Sequence, residues 1–133
     1  MSQAGETFFT SVGCMDGRVQ EPILVFGQKK FEAKYADTIT EAGLVGLLSV
    51  DDVDQVLLDS IKKKILISLE KHHSKGIVVH GHQECAGNPV EDEKHRRDTL
   101  KAAQIIKSFA SAEASIIPAF VKRNGQEWTV EEL

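Results

Sequence analysis

Ile77-Val78-Val79-His80-Gly81-His82-Gln83-Glu84-Cys85-Ala86-Gly87 is the stretch on which the fold turns. Ile77–Val79 has no polar alternate position, so it reads as a strand buried on both faces. It runs straight into histidine, glycine and cysteine, a polar turn at a carboxyl end. Upstream, Thr7–Val12 is β-branched and aromatic and stops at Gly13-Cys14, a second buried strand with a tight turn. Pro22 suits the first turn of a short helix over Ile23–Phe31. Ala36–Thr40 reads as another strand, closed by Glu41-Ala42-Gly43. Asp51 or Asp52 then caps a long helix. Its apolar face is Val53, Val56, Leu57, Ile61, Ile65 and Leu69. Lys71, His72, His73 and Lys75 crowd its end, where cations suit the helix dipole, before Gly76. Downstream, the charged stretch Glu91–Asp98 opens a helix. Leu100, Ala103, Ile106 and Ala110, with Ala102, Ile105 and Phe109, are its core face. Ser115–Val121 is a fourth strand. Asn124-Gly125 is a hairpin turn, from which Glu127–Val130 pairs back.

Strands alternating with helices predict an α/β fold, a mainly parallel central sheet with helices on both faces. In such sheets functional groups collect at the carboxyl ends of strands, near the point where strand order reverses. Cys14 follows the first strand and Cys85 the third. If those strands are neighbours, the two thiols meet although far apart in sequence.

The chain has 133 residues, 41% of them hydrophobic and 27% charged, which predicts one globular domain over residues 1–133. A net charge of −4 offers no phosphate-binding face, so nucleic acid is not an expected partner. No apolar run approaches the roughly 20 residues of a membrane helix. The start, Met1-Ser2-Gln3-Ala4-Gly5-Glu6, has no secretory signal pattern. Two cysteines are too few for a disulfide scaffold. The expected location is the cytoplasm, with both as thiols.

Cys14, His82 and Cys85 are the candidate metal ligands. Two thiolates and one imidazole suit zinc, and they leave a fourth tetrahedral position free. A water held there is acidified to a pKa of about 7. Asp16 and Arg18 form a natural carboxylate–guanidinium pair beside it. The carboxylate accepts a hydrogen bond from the water, and the arginine orients the carboxylate and keeps it ionised. His80 shares a strand face with His82 and competes as a ligand. The spacing of His82 to Cys85 favours His82, and His80 is expected to pack or hydrogen-bond nearby. His72 and His73 are expected at a solvated helix end, and His95 at the surface. Glu41 and Glu84 are expected as surface or capping groups. A phosphatase loop needs Cys-x5-Arg, which Cys14 and Arg18 do not provide. A Cys–His hydrolase built on Cys85 and His82 leaves Cys14, Asp16 and Arg18 unused.

The motifs Cys14-Met15-Asp16-Gly17-Arg18 and His82-Gln83-Glu84-Cys85 resemble those of the β-class carbonic anhydrases, each after the corresponding strand. The resemblance extends to the lead-in Ile77–Val79 and covers most of the chain, up to the Trp128 hairpin. It implies a sheet in the order 2-1-3-4, with one Zn2+ at the ends of strands one and three. It implies reversible hydration of carbon dioxide to bicarbonate by a zinc-bound hydroxide, with Asp16 and Arg18 as the catalytic pair. It also implies homodimers or larger homo-oligomers, as does a small sheet that leaves edges uncovered. Leu44, Val45 and Leu47 are expected on the apolar side of the pocket. The chain departs from the family pattern in three places. It lacks the N-terminal helical arm. Thr40-Glu41-Ala42-Gly43 stands where the family often has Arg-Asn-Ala-Gly. Ala86-Gly87 stands where Gly usually follows the second cysteine. Two alternatives remain: a non-catalytic zinc protein whose site Asp16 closes, and a hydrolase of carbonyl sulfide or carbon disulfide.

Overall fold

The computed structural model describes residues 2–133. A five-stranded sheet in the order β2-β1-β3-β4-β5 forms its centre. The strands are β1 (Phe8–Gly13), β2 (Tyr35–Thr40), β3 (Ile77–His82), β4 (Ile116–Asn124) and β5 (Glu127–Glu132). β1 pairs in parallel with β2 and β3, and β3 with β4, while β5 returns antiparallel. The expected order holds, extended by the hairpin strand. The helices are α1 (Gly17–Phe31), α2 (Leu44–Leu48), α3 (Gln55–Lys71) and α4 (Asp92–Phe109).

Strand alternation sorts the core onto two faces. Val12, Ile77 and Val79 pack with Ile61 and Ile65 of α3 and Ala102 and Ile106 of α4. Phe9 and Val78 point the other way, to Val19 and Ile23 of α1, with Trp128 and Val130 against that cluster. β3 is buried throughout, as a strand covered on both faces must be. Strand order reverses between β1 and β3, and the register sets Gly13 beside His80. The loops after these strands therefore leave side by side.

Several local expectations shift. α1 begins six residues earlier than the Pro22 reading, because Asp16 caps it through the Arg18 backbone N–H at 2.9 Å. Pro22 lies within the helix. α3 starts at Gln55, capped by Asp54 through Leu57 N–H, so Val53 precedes the helix and Val56 is 81% exposed. Leu100 of α4 is exposed too, and its place toward the sheet goes to His95, Asp98 and Thr99. The short α2 was not read from the sequence. It buries Leu44, Val45 and Leu48 in the core and exposes Leu47, so Leu44 and Val45 are packing residues. The hairpin turn is Gly125-Gln126, with Asn124 paired to Glu127. The residue that must take positive φ at its start is Gly125.

Candidate metal centre

Each sulfur is delivered by a strand end. β1 stops at Gly13, where a Cβ would lie 2.3 Å from the His80 ring. That close approach seats Cys14 against β3. Gln20 of α1 donates from Nε2 to the carbonyls of Cys14 and Asp16, both at 2.9 Å, and holds the loop between them. β3 ends at His82, and the turn after it carries Cys85 back. Cys14 and Cys85 are buried free thiols. Their sulfurs are 3.8 Å apart. A tetrahedral metal with sulfur bonds of about 2.3 Å sets its sulfurs about 3.8 Å apart, so this edge already has ligand spacing.

His82 completes the set. Its Nδ1 donates to the Gln83 carbonyl, 2.6 Å away, which leaves Nε2 as the lone-pair nitrogen. That Nε2 is buried without a hydrogen-bond partner. A buried orphan acceptor beside two thiols fits a metal ligand. The three donor atoms lie within 4.8 Å of one another and could hold a metal ion. The residues therefore fit zinc in donor type, tautomer and burial.

Cys14 is the more acidic thiol. Burial raises its pKa, but the adjacent His82 ring, the Gly43 N–H and backbone near Asp16 outweigh this and lower it to about 7. The Gly43 N–H lies 3.3 Å from the sulfur. Burial and the neighbouring Cys14 push Cys85 upward. His82 is lifted: burial opposes its charging, but its partners Cys14, Gln83 and Asp16 outweigh that.

Asp16 and Arg18 meet at the start of α1, where Asp16 is the helix cap. Arg18 Nε donates to Oδ1 at 3.1 Å and Nη2 to Oδ2 at 2.8 Å. This bidentate pair lowers the Asp16 pKa to about 2 against the effect of burial. Asp16 Oδ2 is 4.0 Å from His82 Nε2. A modest turn of that side chain would carry it toward the donor set.

Of three other histidines, His80 packs and hydrogen-bonds as expected, while His95 and His72 depart from their surface reading. His80 is fully buried, bonds Ser11 Oγ through Nε2 at 3.1 Å, and leaves Nδ1 unpartnered. His95 is buried, not at the surface, with its ring centroid 5.9 Å from that of His82. His72 is partly buried, and its Nδ1 lies 2.7 Å from Asp37 Oδ2. Glu41 is exposed as expected. Gly43 is the residue whose role was missed. Its φ of 63° and its approach to Gly87, 2.3 Å from a Cβ to the carbonyl oxygen, aim its N–H at Cys14. Its place in the Ala42-Gly43 step was the available signal.

A family model described as "Putative carbonic anhydrase" matches residues 4–133. The chain belongs to this carbonic anhydrase family. Its fold is similar to the crystal structure of β-carbonic anhydrase isoform I from the protozoan Trichomonas vaginalis, with a TM-score of 0.56 and 13% identity. That match covers 98% of this chain and 86% of the other. No curated protein matches the chain. At this identity the structural likeness speaks for the fold alone. Among the described residues of this carbonic anhydrase family member, no helix is long and apolar enough to cross a membrane.

Proposed function

We propose that the chain is a zinc-dependent enzyme that hydrates carbon dioxide reversibly to bicarbonate, working as one zinc-binding domain over residues 1–133. The observation that carries this reading is the unpartnered His82 Nε2, buried between two free thiols and 4.0 Å from an arginine-held carboxylate. Cys14, His82 and Cys85 would hold one Zn2+. Bound there, zinc would supply an acidified water as the nucleophile toward carbon dioxide. Asp16 takes a hydrogen bond from the attacking water and aligns it, and Arg18 keeps the carboxylate ionised and in plane. Burial keeps His80 and His95 neutral beside the site, so neither competes for the charge of Asp16. Free thiols as ligands suit a reducing compartment, and we place the protein in the cytoplasm. The unpaired outer edge of β2 suits a homodimer.

A second reading has a specific observation behind it. With Oδ2 already 4.0 Å from His82 Nε2, Asp16 is within reach of a fourth ligand position, which would close the site and silence it. Stopped-flow hydration of carbon dioxide with a pH indicator, scanned over about pH 6–9 around the expected water pKa, separates the two. Acceleration that rises with pH supports the enzyme. Zinc-loaded protein without acceleration supports the closed site or a sulfur substrate. Carbonyl sulfide and carbon disulfide assayed on the same sample then decide between those.

A further inference from the structure

Glu84 stands between two of the donors, and its φ of 57° is uncommon for a residue with a side chain. This conformation turns its backbone and its carboxylate toward arginines. Its carbonyl accepts a hydrogen bond from Arg18 Nη2 at 3.0 Å, and its carboxylate lies 3.5 Å from Arg18 Nη1. The same carboxylate is bidentate with Arg123 of β4, at 2.7 and 3.0 Å. Across the hairpin, Arg123 faces Trp128 in register. The Trp128 ring centroid is 4.5 Å from the Arg123 guanidinium carbon and 4.8 Å from that of Arg18. Gln83 ties the turn to the same strand, accepting the Arg123 backbone N–H at 2.7 Å. These contacts converge on Arg18 and leave the metal donors untouched.

A long, exposed arginine paired with one carboxylate readily trades that partner for water. Arg18 is instead held by a ring on one side and a carboxylate and carbonyl on another. Glu84 also offsets the repulsion between two guanidinium groups that share one ring.

We propose that Glu84, Arg123 and Trp128 are positioning residues that hold Arg18 in place, and so decide whether Asp16 stays on Arg18 or turns onto the metal. The proposal rests on the functional reading above.

The test uses protein loaded with cobalt(II), whose visible spectrum and X-ray absorption distinguish a carboxylate from a water as fourth ligand. Arg18→Ala is the reference and should move the site toward carboxylate ligation. Arg123→Leu, Glu84→Gln and Trp128→Leu should follow it part of the way with full metal content. In the zinc forms, kcat for hydration should fall about tenfold with little change in KM, the usual scale for residues supporting a metal site. Trp128→Phe keeps a ring face and should recover most of the loss. Should Trp128→Leu fail to fold by circular dichroism, the exposed Arg123 and Glu84 variants decide. A changed Arg18→Ala with wild-type spectra in Arg123→Leu and Glu84→Gln would overturn the proposal alone. An unchanged spectrum in Arg18→Ala would overturn both it and the reading of the Asp16–Arg18 pair.

Discussion

As proposed metal ligands, Cys14, His82 and Cys85 make separable contributions that metal analysis can read. Cys14→Ala and Cys85→Ala each remove a thiolate, and both should leave the purified protein without its metal. His82→Ala should weaken binding strongly, whereas His80→Ala should leave stoichiometry near one per chain. Full zinc in both cysteine variants would show that the ligands are elsewhere. His80 and His95 matter in another way. Burial first, and the nearby His82 second, lower their pKa from 6.5 to about 3 and about 4. The unfolded chain therefore takes up protons first as pH falls. Their contribution is fully present above about pH 6.5 and is lost as pH drops through 4 toward 3. Asp16, lowered from 3.8 to about 2, adds its own loss as pH falls from about 3.8 to 2. Metal-free protein should lose on the order of a few kcal/mol in denaturant titrations between neutral pH and about pH 4, and His95→Gln should flatten the profile. Equal stability at both pH values would mean these rings are charged in the folded state. At this scale the motifs were legible, because donor chemistry belongs to residue type. The burial of His95 was not: its charged sequence neighbours Lys94 and Arg96 disguise a position that faces the sheet.

At the scale of elements, the site depends on how loops touch. Gly43 and Gly125 share a positive φ, 63° and 68°. A Cβ at Gly125 meets nothing within 4 Å, whereas one at Gly43 would collide with the Gly87 backbone. Gly125→Ala should cost about 1 kcal/mol of strain and keep the metal. Gly43→Ala carries the same strain, must also shift a backbone, and takes the N–H from Cys14. Its metal affinity should fall about tenfold or more, measured by competition with a chelator. Equal affinity in the two variants would remove Gly43 from the site. Asp16 has an element-scale role as well, since it caps α1. Asp16→Ala should lower metal-free stability by about 1 kcal/mol and Asp16→Asn by much less, because asparagine also caps. A neutral Asp16→Ala in thermal or denaturant unfolding would show that the cap contributes nothing. Helices and strands were readable from periodicity, but their ends were not. α1 starts where a side chain finds a backbone N–H, and Pro22 does not report that. α2 is too short for any period to emerge.

At the scale of the whole molecule, β2 is an edge strand of the sheet, with Tyr35 38% exposed and a groove of about 750 Å3 between that strand and α1. A homodimer should form, and light scattering at micromolar concentration should give twice the 14.6 kDa chain mass. A mass of one chain at that concentration would sink the dimer. The sequence alone determined the parallel α/β class, the placement of two cysteines at strand ends and the candidate Cys–His–Cys donor set. It could do so because these follow from residue type and periodicity, which are local. The tertiary structure decided what depends on residues far apart. It brings Cys14 and Cys85 to 3.8 Å across 71 positions, an approach that exists only because β1 and β3 are neighbours. It also set the hairpin one residue beyond Asn124-Gly125. In a strand pair, moving the turn by one residue changes every cross-strand partner. That register sets Trp128 opposite Arg123, and through Glu84 it ties the far edge of the sheet to Arg18. No local pattern encodes such a link, because its energy comes from contacts that form only when the sheet has closed.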